Sequence, residues 1–248
     1  MNEIEIRQCT SHDEFRRCIE LERAIWQCSD LDLIPLHSYV VIRGSGGFTL
    51  GAFTADTEMV GFALALSARR GEKLCYYSYM LAVTPEYQRR DIGKRLKFAQ
   101  RDWALSRGID LIVWTFDPMQ ALNAHFNITK LGAIAQTYEV NYYSSESSSR
   151  LHAGMDTDRL LAEWWLTSDA VQSRVTGSNL KLGPAVAQVR IPANVNALKA
   201  TDVERARAWQ LQVRQQFLEH FASGLYVGRV EPLGDGATYQ YLLYRPER

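Results

Sequence analysis

Between Leu81 and Leu96 the chain reads LAVTPEYQRRDIGKRL, an apolar run, a short polar loop and a restart at Ile92. Arg89, Arg90 and Lys94 bring positive charge to that loop, and Gly93 allows close approach to the main chain. The first amides of a helix lack internal partners and lie at the positive end of its dipole. A helix beginning at about Ile92 therefore turns its open donors toward the loop, an arrangement that can wrap a pyrophosphate. Neither GxxxxGK[ST] nor GxGxxG is present. The same basic residues also read as a solvated helix face.

The surrounding chain carries no general pull on anions. Its 248 residues balance 28 Lys and Arg against 28 Asp and Glu, with 46% hydrophobic and 23% charged residues. That balance argues against nucleic acid or acidic lipid as a partner, so a bound anion needs a local site. The N-terminus MNEIEIRQCT lacks the pattern of a signal peptide, and no run approaches a bilayer-spanning length. Cys9, Cys18, Cys28 and Cys75 show no metal-ligand spacing with the histidines. Four reduced thiols, no metal and a cytoplasmic location are expected.

Elements positioning the loop follow from periodicity. Glu3–Cys9 alternates as a strand, and Ser11 or Asp13 caps a helix bearing Phe15 and Ile19. A short helix is expected within Leu31–Arg43. Phe48–Phe53 and Met59–Leu66 read as a hairpin, and Leu74–Val83 as a further strand. Ile92, Leu96, Ala99 and Trp103 form the buried stripe of a helix that Gly108 ends. Leu111–Phe116 is a strand, a helix of roughly a dozen residues leads to Leu131-Gly132, and a strand covers Ala133–Tyr143. SSESSS, from Ser144, reads as a surface loop. Beyond it a helix is predicted over Thr157–Trp165, turns over Ser173–Pro184, and a strand over Val186–Ile191. A long helix over Asp202–Ser223 and strands near Tyr226–Val230 and Tyr239–Tyr244 complete the chain. The pattern predicts an α/β (α+β) fold with a mixed sheet, in residues 1–145, and an α+β extension in 146–248 packed on that core.

The segment around Pro85-Glu86-Tyr87 resembles the signature of the GNAT acyltransferase superfamily, in which Val-x-Pro-Glu-Tyr is followed by Gln/Arg-x-x-Gly-x-Gly/Ala. Gln88, Arg89, Arg90, Asp91, Ile92 and Gly93 take those places, with Asp91 replacing the first glycine. LNAHFNITKLGA is similar to the family's helix before a Leu-Gly turn, where an Asn and an aromatic (Asn123 and Phe126) flank the CoA arm. Ile128 stands where the family's catalytic tyrosine is usual. The run Ser78–Tyr143, with LHAGMDTDRLLAEWWL beyond it, also resembles a narrower group with a long C-terminal extension that includes D-amino-acid N-succinyltransferases.

The resemblance implies a mostly antiparallel, twisted, helix-flanked sheet and acetyl-CoA or succinyl-CoA as cosubstrate. It implies direct attack of a small primary amine, an amino acid being the leading case, on the thioester. The cosubstrate would meet Leu81, Val83, Gln88, Arg89, Arg90, Asp91, Ile92, Gly93, Lys94, Asn123 and Phe126, and a strand N–H near Leu81–Val83 would polarise the carbonyl. Asp117, at the carboxyl end of a strand, suits a base or amine anchor, and equally a turn residue before Pro118. Tyr143 suits a proton donor, though Tyr142 and Tyr143 also read as packing on a strand. His125, Trp164 and Trp165 read first as structural. Trp114 and Arg159 are the expected substrate contacts, Arg159 offsetting a succinyl carboxylate. Peptide N-acetylation and a non-catalytic CoA sensor are the competing readings. A homodimer is left open.

Overall fold

A computed structural model describes residues 4–27, 29–144, 155–178 and 180–246. By their internal contacts these fall into two compact units, one up to Val113 and one from Trp114 onward. This is a division by packing, different in kind from the division at 145/146 read from the pattern of predicted elements. Each unit is mixed α/β, its sheet mostly antiparallel and flanked by helices.

The first unit comprises β1 (Glu5–Gln8), α1 (His12–Trp26), α2 (Leu36–Gly44), β2 (Phe48–Phe53), β3 (Met59–Arg70), β4 (Lys73–Val83), α3 (Ile92–Leu105) and the first half of β5 (Leu111–Phe116). Its strands follow in the order β1-β2-β3-β4-β5. Ser11 starts α1 with a capping box: its Oγ accepts the Glu14 N–H at 3.2 Å, and Glu14 Oε2 accepts the Ser11 N–H at 3.0 Å. Phe15, Cys18 and Leu21 of α1 and Tyr39 of α2 pack with Phe53, Met59, Phe62 and Leu64 to form the core. β3 pairs antiparallel with β4, and the register shifts where Tyr79 is inserted between the Ala65↔Ser78 and Leu64↔Met80 pairs. Such a bulge re-aims the strand beyond it. On its other side β4 pairs in parallel with β5 at Tyr76↔Ile112 and Tyr77↔Val113.

The second unit continues from β5 through α4 (Ala121–Ala124), a π-helical run (His125–Lys130), β6 (Ile134–Glu139), β7 (Arg159–Trp165), α5 (Asp169–Thr176), β8 (Ala187–Pro192), α6 (Val195–Thr201), α7 (Val203–Ala222), β9 (Tyr226–Pro232) and β10 (Thr238–Tyr244). Its later strands follow in the order β7-β6-β9-β10-β8. Phe217 of α7 stacks on Tyr138 and meets Tyr241 edge-on, with ring centroids 5.6 and 5.0 Å apart.

Three expectations are corrected. The helix predicted over Thr157–Trp165 is instead strand β7, buried on both faces; its sequence RLLAEWW buries Glu163 among apolar residues and so shows no polar face with a period that separates the two. β6 ends at Glu139, so Tyr142 and Tyr143 lie in a turn, both exposed, rather than on a strand. The segment predicted as turns begins with the end of α5, capped by Ser168. The remainder of the serine-rich loop, from residue 145, lies outside the described residues.

Candidate functional site

In the first unit the loop after β4 is built from main chain. The Thr84 N–H donates to Val60 O of β3 at 2.9 Å. Successive N–H groups along a strand point to opposite sides, so those of Val83 and Leu81 point away from β3. Gln88 folds back on that open side, its Nε2 donating to Val83 O at 3.0 Å. Arg89 (φ 60°) and Asp91 (φ 58°) both take the left-handed conformation, of the kind that can turn neighbouring amides toward an anion. Asp91 occupies the N-cap of α3, yet its side chain makes no capping hydrogen bond. The first-turn amides of α3 are thus not capped by it, as a pyrophosphate-binding helix start requires.

Side chains surround this loop with exposed charge and fix it from below. Gln88, Arg89, Arg90 and Asp91 are exposed, while Gly93 and Lys94 are half-buried. Arg90 lies over the Tyr87 ring at 5.1 Å and Lys94 over Phe98 at 5.7 Å. The Ile92 side chain is in the core, so only its main chain can face a ligand. Beneath the helix Lys97 Nζ donates to Ser78 Oγ at 2.8 Å, and Ser78 Oγ donates to Gln100 Oε1 at 3.0 Å. Burial drives the Lys97 amine well below its usual pKa. This buried triad joins α3 to β4 and has no contiguous sequence signal.

In the second unit the remaining expected residues take unequal roles. Asp117 Oδ1 accepts the Met119 N–H at 2.8 Å and Oδ2 accepts from Gln120 Nε2 at 3.4 Å, the turn-forming role. Tyr143 shares a 3.1 Å hydrogen bond with Thr115 at the end of β5, and the Arg159 guanidinium lies 5.0 Å from the Tyr143 ring centroid. Trp114 is buried edge-on against Trp164, whose Nε1 donates to Leu131 O at 2.9 Å. Asn123 is exposed and Phe126 half-buried on the α4–π-helical run, with Asn127 Nδ2 donating to Asn123 Oδ1 at 3.3 Å. His125 hydrogen-bonds Val230 O at 2.7 Å, a structural tie. Ile128 is fully buried. Lys199 of α6, unremarked in the sequence, is drawn into the same neighbourhood. Burial lowers its pKa, with the Asp117 carboxylate opposing and Arg159 reinforcing the shift.

Residues 12–130 match the acetyltransferase (GNAT) family. That segment is similar to GNAT acetyltransferase domains. The ribosomal-protein-S18-alanine N-acetyltransferase from Escherichia coli superposes on 73% of this chain and 100% of its own, with 15% identity and a TM-score of 0.51. The NatC complex bound to Gag peptide and CoA gives 66% and 99%, 18% identity and a TM-score of 0.52. A GNAT-family acetyltransferase from Streptococcus pneumoniae gives 65% and 98%, 16% identity and a TM-score of 0.50. A search of curated protein sequences finds no significant match. These neighbours share the fold with the GNAT domain. The family draws its acyl group from an acyl-CoA cosubstrate. Among the described residues no group of three or more His, Cys, Asp or Glu is arranged to hold a metal, and no helix is long and apolar enough to cross a membrane.

Proposed function

We propose that the protein transfers an acetyl or succinyl group from acyl-CoA to the primary amine of a small molecule, an amino acid being the leading case. The observation carrying this reading is the sequence of main-chain donors from the open edge of β4 at Leu81 and Val83 to the uncapped start of α3. Amides from Arg89 to Lys94 suit a pyrophosphate, while Arg89, Arg90 and Lys94 add charge. The edge amides of β4 suit the oxygen of a thioester carbonyl as it gains negative charge.

The substrate amine attacks the thioester carbonyl, forming C–N as C–S breaks; the amine loses a proton and the CoA thiolate takes one up. Holding amine and thioester together supplies much of the rate. Ile128 has no proton to give; among the second unit's side chains the exposed Tyr143 hydroxyl is the one proposed to exchange protons with a substrate. Asp117 is engaged in its turn and is proposed to orient the neighbourhood.

The test is release of free CoA from acetyl-CoA and succinyl-CoA across amino acids, simple amines and short peptides. Turnover with small amines is the expected result. Turnover confined to peptides moves the acceptor to that class. A second reading, a CoA sensor without turnover, is favoured by Ile128 and by Asp91. CoA binding without release on any acceptor would establish it.

A further inference from the structure

At the carboxyl end of β5 the second unit draws together polar side chains that are distant in sequence. Thr115 and the Tyr143 hydroxyl are hydrogen-bonded at 3.1 Å, and the Arg159 guanidinium lies over the same tyrosine at 5.0 Å. From the other side Asp117 holds Gln120, and Gln120 exchanges hydrogen bonds with Asn196 of α6 at 3.0 and 3.3 Å. Lys199 follows Asn196 by one helical turn and so shares its face of α6.

We propose that Arg159, Lys199 and the Tyr143 hydroxyl form a carboxylate-binding site for a substrate of the reaction, either the α-carboxylate of an amino-acid acceptor or the far carboxylate of a succinyl donor. This rests on the acyltransferase reading above. The chemistry fits a carboxylate closely. A guanidinium lying on an aromatic face is pre-organised to offer its planar fork, which matches a carboxylate bidentately. Lys199 is partly withdrawn from water and within electrostatic reach of Arg159. The Asp117 carboxylate already offsets part of that repulsion, and an anion arriving between the two cations would relieve the rest. Tyr143 adds a hydroxyl donor and is 44% exposed, so the cluster meets solvent. β7 and α6, both beyond the GNAT match, supply the two cations. The region after residue 130 is thereby given a part in substrate choice.

The experiment measures kcat/KM by CoA release for the wild type, Arg159→Gln, Arg159→Lys and Lys199→Met. Donors are acetyl-CoA and succinyl-CoA; acceptors are amino acids and their carboxamides, which keep the amine and lose the carboxylate. Arg159→Gln and Lys199→Met are expected to lose at least tenfold on the carboxylate-bearing substrate only, with partial recovery in Arg159→Lys. A loss seen with amino acids but not carboxamides assigns the site to the acceptor. A loss seen with succinyl-CoA but not acetyl-CoA assigns it to the donor. Equal losses for every pairing, or none, overturn the proposal, and weakened binding of CoA itself by calorimetry hands the cations to the cosubstrate's phosphates. Should the wild type turn over nothing, the acyltransferase reading fails on its own. Calorimetry with succinate and N-acetylated amino acids then decides the site: tenfold weaker binding in Lys199→Met supports it, and no binding to the wild type sinks it.

Discussion

In the first unit the candidate donors are main-chain amides, at Leu81 and Val83 on the open side of β4 and from Arg89 to Lys94 at the start of α3, with the exposed side chains of Gln88 to Asp91 around the loop. The second unit offers side chains gathered from Thr115, Tyr143, Arg159 and Lys199, with hydrogen bonds fixing the turn between. Buried charge is also handled in two ways. Glu22, in the first unit, is 1% exposed and receives the Ile34 N–H at 3.3 Å on each oxygen; burial pushes its pKa up to about 7. Lys97 is likewise shifted toward its neutral form. In the second unit Asp158 is ionically paired: Arg214 reaches it through Nε and Nη2 at 2.8 and 2.9 Å, and Tyr138 donates its hydroxyl at 2.7 Å. A site of main-chain donors tolerates a core that neutralises its charges. A site of convergent side chains needs its scaffold pinned, and the Arg214 pair pins it.

The sharpest way to break this contrast is Arg214→Met. Asp158 would be left buried without its cation, at a cost of about 3–5 kcal/mol in urea unfolding. Asp158 Oδ1 also accepts the Asn141 N–H at 3.0 Å, and the Tyr143 N–H donates to Thr157 Oγ1 at 2.8 Å. A variant that still folds should therefore lose discrimination at Tyr143 and Arg159 while keeping its affinity for CoA. A parallel loss of CoA affinity would show that the damage is not confined to the second unit.

Glu22→Gln probes the opposite treatment of charge. The ordinary carboxyl value is 4.5 and the folded one about 7. Between those pH values the unfolded chain releases a proton that the folded chain retains, so stability falls as pH rises. Above pH 7 the full penalty is present, up to about 3 kcal/mol. The amide keeps an acceptor for Ile34 and carries no charge. Glu22→Gln should accordingly melt higher than the wild type at pH 8 and match it at pH 4. A variant less stable at pH 8 would show that the carboxylate is the favoured form.

Gly93→Val tests the main-chain site. A branched side chain at the second residue of α3 would crowd the place assigned to the phosphates, and about a hundredfold loss of CoA affinity is expected by calorimetry, roughly 3 kcal/mol. Circular dichroism checks that α3 remains. Undiminished binding in the folded variant would remove the pyrophosphate from this loop.

What the sequence disclosed follows the same divide. The β2–β3 hairpin, β4, α3 and β5 were legible because alternation, helical spacing and turn residues are local signals, and the loop was legible because its donors are consecutive. β7 was misread because Leu160–Trp165, with Glu163 buried among its apolar residues, shows no alternation. Lys97 and Ser78 give no warning of their bond, since nothing in either neighbourhood specifies which buried face meets which. Lys199 sits in an ordinary helical stretch, NALKA, and only folding brings it toward Asp117 and Arg159.

Asp91 carries the smallest expected effect and separates two contributions to the main-chain site. Its left-handed backbone costs a residue with a Cβ about 1 kcal/mol relative to glycine. Its carboxylate also adds negative charge at the helix start where phosphates are proposed to lie. Both terms predict that Asp91→Gly binds CoA a few-fold tighter, and the electrostatic one grows as salt is lowered because screening weakens. Asp91→Asn divides them, since asparagine tolerates the left-handed region and has no charge. Tightening in both variants, larger at low salt, assigns the effect to charge. Tightening in the glycine variant alone, insensitive to salt, assigns it to the backbone. Weaker binding in both would mean that the aspartate holds the loop in its binding shape, a side-chain role in a site otherwise made of amides.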